Sequence, residues 1–340
     1  MSGPLFPALK IGNLVFDAPL LQAPLSGYSD APMRRLARRF GASFALCEVL
    51  LDQFVLDVSK RRSKSRLYLD VQDSDRPAGA QLMGSSSDEF VSAAFKLLEC
   101  GFELIDLNFA CPVKKVVGKS RGGYLVSDPK KALEIASRVR DALPDEVPVT
   151  VKLRRGFDDS EESRQSFWEI LDGLIDAGID GVAVHGRTVV QRYQGVADWN
   201  FLREVKEFVA VKRARPNVPV IGCGNLFSAE TVVKRMRESG VDGVALARGV
   251  IGNPWLFQQT RAAMEGRPIP PPPTLAEQKQ VIAEHFRDVI ELYGDRRATT
   301  VMRKFGVAYS KLHPDSEKVR MEFVACKTPQ RWFEILDEFY

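Results

Sequence analysis

Hydrophobic positions along this chain follow two alternating rhythms. Short, continuous apolar runs recur at Ala18–Pro24, Ser43–Val49, Pro77–Leu82, Leu104–Asn108, Val147–Leu153, Gly181–His185, Val218–Gly222 and Gly243–Ala247. Between them, apolar residues return every three or four positions, over Ala31–Phe40, 52–62, 87–99, 128–142, 160–177, 198–213, 228–239 and 253–264. Runs of the first kind predict strands covered on both faces, and the second spacing predicts amphipathic helices. Asp30 precedes Ala31-Pro32, predicting an N-cap with proline in the first turn, where its missing N–H costs nothing. Gly101, Gly178 and Gly240 lie just past predicted helix ends, where a left-handed cap favours glycine. Ahead of the alternation, residues 8–16 predict a hairpin over Gly12-Asn13.

Eight strand–helix units over ~250 residues are the length and rhythm of an α/β fold of the (β/α)8 TIM-barrel type. A doubly wound open sheet is the competing arrangement, but it has no need of eight units. The stretch Gly266-Arg267-Pro268-Ile269-Pro270-Pro271-Pro272-Pro273 cannot continue a helix and reads as a stiff linker. Beyond it, Thr274 is placed to cap a helix running through Tyr293, and helical patterns follow at 296–311, 315–325 and 329–339. The expected organisation is a barrel domain over 1–265, a linker over 266–273 and a small C-terminal helical bundle over 274–340.

With 45% hydrophobic and 27% charged residues in 340, the chain has the composition of an ordinary globular protein. No apolar run approaches the ~20 residues of a membrane span. Residues 1–7 have neither a basic start nor a long apolar core, so the expected location is cytoplasmic. Five cysteines without a C-x-x-C pair fit a reducing compartment, and three histidines leave little for a metal site; none is expected. The net charge of +4 is mild, but its distribution is uneven. Basic residues gather at Arg34, Arg35, Arg38 and Arg39, at Lys60, Arg61, Arg62, Lys64 and Arg66, and at Lys114, Lys115, Lys119 and Arg121. Any one such run can be a solvated helix face. Over 274–340, Lys+Arg and Asp+Glu balance at 11 each, so anion binding there falls to a patch such as Arg296, Arg297, Arg303 and Lys304.

Barrels carry their chemistry at the C-terminal ends of the strands. Those ends hold Pro24-Leu25-Ser26, Gln81, Asn108 with Cys111, Lys152 with Arg154, His185-Gly186-Arg187, Cys223-Gly224-Asn225 and Ala247-Arg248-Gly249. Each alone has a structural explanation, a buried cysteine in a turn or a hydrogen-bonded core histidine among them. A closed barrel would bring all of them to one mouth. Glycine-rich loops after the seventh and eighth strands offer backbone N–H groups to a phosphate, and Arg248 adds a forked donor. Lys152 on a strand interior is costly unless a negative group faces it, and a reduced flavin, anionic at N1, is such a group.

These residues bear a family likeness. The chain resembles tRNA-dihydrouridine synthases, in particular the bacterial B-type branch, over nearly its full length. The likeness is carried by Ala23-Pro24-Leu25-Ser26-Gly27-Tyr28-Ser29-Asp30, Asn108-Phe109-Ala110-Cys111-Pro112, Val151-Lys152-Leu153-Arg154, His185-Gly186-Arg187-Thr188 and Ala247-Arg248-Gly249. It implies an FMN-containing barrel followed by a helical tRNA-binding domain, with NADPH as reductant and tRNA as partner. It implies hydride delivery from flavin N5 to C6 of a uridine, with Cys111 protonating C5. Lys152 would sit at flavin N1/O2 and Gln81 at the pyrimidine edge, beside Pro24, Leu25 and Ser26. His185, Cys223, Gly224, Asn225, Ala247 and Arg248 would hold the ribityl phosphate end. Asn108, Arg154, Lys114 and Arg187 would face the substrate, and the basic clusters would meet the tRNA backbone. The family usually has Met at position 25, Gly at 110, Asn at 223, Asp at 225 and Gly at 247, where this chain has Leu25, Ala110, Cys223, Asn225 and Ala247. Two other readings stand beside it: a flavin barrel acting on a free pyrimidine, and a non-catalytic RNA-binding protein that has kept the scaffold.

Overall fold

The computed structural model describes residues 5–58, 67–69, 71–211 and 217–340. Two short antiparallel strands, β1 (Leu9–Ile11) and β2 (Leu14–Phe16), form the hairpin expected over Gly12-Asn13. Eight parallel strands follow: β3 (Leu20–Gln22), β4 (Phe44–Leu51), β5 (Ala78–Met83), β6 (Leu104–Phe109), β7 (Val149–Arg154), β8 (Gly181–His185), β9 (Val220–Cys223) and β10 (Gly243–Leu246). They pair in sequence order, and β10 pairs back onto β3 to close a TIM barrel. The runs are apolar on both faces because helices cover the outside and side chains fill the inside. The hairpin plugs one end: Leu9, Ile11 and Phe16 pack with Leu21, Phe44, Leu104 and Ile221 from the barrel interior.

Side chains alternate in and out along each strand, so register decides what faces the interior. Asn108 stands opposite Lys152, Arg154 opposite His185, and His185 opposite Cys223. The helices behind the strands begin and end where their caps predict. Asp30 accepts a hydrogen bond from the N–H of Met33 at the start of α1 (Ala31–Arg39). Gly101, Gly178 and Gly240 all have positive φ just beyond helix ends.

The barrel elements end with the helix Trp255–Met264, and after the proline-rich segment four helices follow: Leu275–Tyr293, Asp295–Tyr309, Ser316–Ala325 and Pro329–Phe339. Thr274 and Glu277 form a reciprocal capping box at the first of them. This layer is locked to the barrel. Tyr293 donates its hydroxyl to Asp30 at 3.1 Å, Arg297 reaches the hydroxyl of Tyr68 at 3.0 Å, and Lys304 Nζ donates to the carbonyl of Gly27. Gly252, at φ +71°, lies flush against the backbone of Ala308, where a Cβ has no room.

The structure corrects the reading of the basic runs. Arg34 is buried and paired with buried Asp75 at 2.7 Å, because a guanidinium out of water needs a counter-charge. Arg35 reaches Asp288 and Gln72, Arg38 donates to the carbonyls of Ala42 and Arg76, and Arg39 pairs with Glu284. These contacts hold protein to protein, with Arg34 fully inside and Arg39 still 49% exposed. The run Lys60 to Arg66 and the last residues of the predicted helices 52–62 and 198–213 lie outside the described residues. The basic stretch after Cys111, expected as a loop, contains a one-turn helix, Lys114–Val117, and a 3-10 segment, Gly122–Ser127.

Burial raises the carboxyl of Asp30 to about 6, against the hydrogen bonds from Met33 and Tyr293. A raised folded-state value means that the folded chain holds this proton more tightly than the unfolded one. Its contribution to stability is complete at low pH and is lost as pH rises through about 6, a change of roughly 3 kcal/mol. Asp30→Asn, which can keep the cap, should therefore gain Tm relative to the wild type between about pH 4 and about pH 7. Parallel Tm–pH curves for the two proteins would exclude titration of Asp30 in that window.

Candidate active site

A cavity of about 430 Å³ opens at the C-terminal ends of the strands. It is lined by Pro24, Leu25 and Ser26 after β3, Gln81 from β5, Asn108 and Cys111 at and after β6, and Lys152 and Arg154 from β7. His185 from β8, Cys223, Gly224 and Asn225 at and after β9, and Ala247 and Arg248 after β10 complete the ring. Fourteen residues expected from the sequence thus converge in one place, and two do not. Lys114 is exposed on the helix beyond Cys111. Arg187 stands behind the wall, its guanidinium buried against the carbonyls of Gln194 and Gly195 and the side-chain oxygen of Asn225. In this structure Arg187 shapes the loop after β8 and is not part of the cavity lining.

Lys152, Arg154 and Arg248 line the cavity, and no residue of the lining is acidic. Among the described residues none of these three enters a salt bridge; Lys152 Nζ donates to Cys223 Sγ at 3.0 Å. Burial and the surrounding cations Arg154, Lys152, Arg187 and Arg248 push His185 down to about 2. The imidazole is therefore neutral at physiological pH. Its Nε2 lies 3.3 Å from Arg187 Nη1, which can only donate, so Nε2 is the acceptor and the proton sits on Nδ1. Such a pocket attracts an anion: positive charges desolvated without counter-charges gain most from a negative ligand.

Arg154 does more than line the wall. It donates to the carbonyl of Ala110 at 2.8 Å and to those of Thr188 and Arg192 at 2.8 Å each, joining the loop after β6 to the loop after β8. Three of its five donors are thereby used. Gly224 (φ +119°) and Asn225 (φ +57°) turn the chain sharply after β9. A Cβ on Gly224 would fall 2.8 Å from the ring of His185, so the close approach requires glycine. Asn225 accepts from Arg187 at 2.8 Å and from the N–H of Ala197 at 2.9 Å. An asparagine provides that acceptor oxygen as an aspartate would, without its charge.

Cys111 sits on a loop held from below. Asn108 Oδ1 accepts from the N–H groups of Ala110 and Cys111 at 3.0 and 2.9 Å, and Gly123 N–H donates to the Cys111 carbonyl at 2.9 Å. Gly122, at φ +57°, comes so close that a Cβ there would lie 2.8 Å from Cys111 Cβ. Partial burial raises the thiol above its ordinary value, outweighing the N–H of Val113 and the charge of Arg154, so the thiol is protonated at neutral pH.

Three functional features were not expected from the sequence. Buried Asp106 lies inside the barrel beneath the cavity, accepting from Gln81 Nε2 and Thr150 Oγ1 at 2.6 Å each. Its signal was available, a lone carboxylate within the apolar run Leu-Ile-Asp-Leu. At the mouth, Tyr193 and Phe227 line the cavity yet are 56% and 52% exposed, with the guanidinium of Arg248 at 4.9 and 5.7 Å from their ring centres. Loop aromatics of this kind have no periodic signal.

Comparison with known proteins agrees with this architecture. The family described as Dihydrouridine synthase (Dus) matches residues 21–339. A probable tRNA-dihydrouridine synthase of Rickettsia prowazekii is 34% identical over 332 residues, 98% of this chain and 97% of that protein. The tRNA-dihydrouridine synthase B of Pseudomonas putida is 30% identical over 323 residues, 95% of this chain and 91% of that protein. Among solved structures, histamine dehydrogenase from Rhizobium sp. 4-9 shares the fold, with a TM-score of 0.56 at 16% identity over 83% of this chain; the match spans half of that larger protein.

The buried thiol makes a direct expectation. Alkylation of Cys111 by iodoacetamide, followed at its own peptide by mass spectrometry, should have its pH midpoint above that of free cysteine. A midpoint at or below free cysteine would mean that the site stabilises the thiolate.

Proposed function

The chain belongs to the dihydrouridine synthase family, and from that premise we propose that it reduces uridines in tRNA to 5,6-dihydrouridine, with FMN as prosthetic group and NADPH as reductant. The observation that carries this reading is a cavity lined by three cations and no acid, with a protonated thiol at its edge. The donor set fits a phosphorylated flavin. Arg248 and the backbone turn at Gly224-Asn225, with His185, Cys223 and Ala247 alongside, would take the phosphate end. Lys152 would hold negative charge on the ring system, and Pro24, Leu25, Ser26 and Gln81 would complete its bed. When bound, the flavin supplies the hydride that adds to C6 of uracil.

The remaining chemistry belongs to side chains of this chain. Cys111 keeps a proton on Sγ because burial disfavours the thiolate, and gives it to C5 as the carbon becomes basic. Asn108 holds the loop that carries that sulfur, and Arg154 ties the same loop across the mouth. Lys152 and Arg154 keep the cavity positive, which favours a nucleic-acid substrate and the charge that builds up during reduction. The uridine must leave its stack to reach Cys111, and exposed Tyr193 and Phe227 are surfaces on which unstacked bases can lie. The helices of 274–340 are assigned to tRNA binding, with Lys114, Arg296 and Arg303 as backbone contacts. None of the described helices is long and apolar enough to cross a membrane, and a tRNA substrate puts the enzyme in the cytoplasm.

Two measurements test the reading. The purified protein should be yellow and release FMN on denaturation, and a colourless protein that FMN cannot reconstitute would refute the cofactor assignment. Cys111→Ala should lower dihydrouridine formation on unmodified tRNA by ~10²–10⁴-fold while retaining flavin. Full activity in that variant would remove Cys111 as the acid.

A further inference from the structure

Asp106 lies beneath the cavity, yet two amides that line it, Gln81 and Asn108, are held through it. Gln81, Asp106 and Thr150 face inward on adjacent strands, and the register sets Asp106 between the other two. Thr150 Oγ1 and Gln81 Nε2 each donate to its carboxylate at 2.6 Å. Gln81 Oε1 accepts from Asn108 Nδ2 at 2.6 Å, and Asn108 Oδ1 accepts from the N–H groups of Ala110 and Cys111. All four side chains are buried, none more than 4% exposed.

An amide has a donor end and an acceptor end of nearly equal size, so its orientation is set only by its partners. A carboxylate accepts and cannot donate. Asp106 therefore turns the NH2 of Gln81 downward and its oxygen toward Asn108. Asn108 must then offer its NH2 to Gln81 and its oxygen to the loop. The direction of the whole row descends from the two acceptor oxygens of Asp106. The row leaves one N–H of each amide for the cavity and commits an oxygen of each to the row itself. Burial raises the carboxyl of Asp106, against the hydrogen bonds from Thr150 and Gln81 and the charge of Lys152, the next inward residue after Thr150 on β7.

We infer that Asp106 is a positioning residue: by orienting the amides of Gln81 and Asn108 it fixes the backbone of Cys111 and makes the cavity floor a surface of N–H donors. The inference rests on the proposed function for its activity arm alone. A purely space-filling role for Asp106 would loosen the whole barrel; a positioning role acts on one loop.

The test uses the full-length protein with two readouts. Alkylation of Cys111 by iodoacetamide is followed by peptide mass spectrometry, with buried Cys326 of the helical layer as reference, and steady-state kinetics are measured on unmodified tRNA. Asp106→Leu keeps the size and removes the acceptor. It should speed Cys111 alkylation at least ~10-fold with Cys326 unchanged, and lower kcat at least ~10-fold with KM for tRNA within ~2-fold. Asp106→Asn keeps one acceptor oxygen, but one of its two orientations sets N–H against N–H and reverses the row, so both effects should be present and smaller. Wild-type behaviour of Asp106→Asn in both readouts, or equal acceleration at Cys111 and Cys326, overturns the inference. That variant decides alone if the leucine protein does not fold. A wild-type enzyme that makes no dihydrouridine refutes the proposed function, while the alkylation comparison still judges Asp106.

Discussion

Closure of the eight-stranded barrel is the constraint on which the rest depends. Once β10 pairs with β3, every strand has two neighbours and one permitted phase, because slipping a strand by one residue turns its inward set outward. That phase puts Asp106, Asn108, Thr150, Lys152, Arg154, His185 and Cys223 inside, on four consecutive strands. Below them the interior is filled by Leu21, Phe44, Leu46, Leu104 and Ile221 and sealed by the hairpin. The polar layer therefore begins abruptly above an apolar floor, and this is why its charges are felt so strongly.

Electrostatically the site is one-sided. Three cations line a cavity without an acidic residue among the described ones, and the carboxyl of Asp106 below them accepts from Gln81 and Thr150. Burial, with the neighbouring cations, keeps His185 neutral, so it contributes hydrogen bonding without adding repulsion. The cost of gathering like charges in a low-dielectric pocket is offset by an anionic ligand, which ties this lining to the proposed cofactor and substrate. Two departures from the usual family residues, Cys223 and Asn225, fall in the lining at and after β9. Cys223 meets the ammonium of Lys152, and Asn225 keeps the acceptor that Arg187 and Ala197 require.

The helical layer is part of the site's support. Lys304 holds the carbonyl of Gly27 and lies 4.6 Å from the ring centre of Tyr28, while Phe305 packs edge-on against that ring. Tyr28 in turn lines the cavity. Residues of the helical layer thus reach the loop after β3 directly, and the loop that bears Leu25 and Ser26 is buttressed from both sides.

How much of this was legible in the sequence follows from which forces act locally. The strands, helices and caps were readable because alternation, helical spacing and glycine or aspartate at chain turns are short-range signals. Gly181–His185 and 87–99 were read to the residue. The site residues were readable because a barrel sends strand ends to one mouth and because their combination is specific. What the sequence could not decide was the partner of each charge. The run Arg34, Arg35, Arg38 and Arg39 looked like a face for phosphates, yet Arg34, Arg35 and Arg39 pair with Asp75, Asp288 and Glu284, which lie 41 to 253 positions along the chain. Arg187 looked like a substrate contact and is spent on loop carbonyls. Asp106 drew no attention within its apolar run, yet it accepts from both Gln81 and Thr150 beneath the cavity. A charge's role depends on what stands within a few ångströms of it in space, and only the tertiary structure decides that.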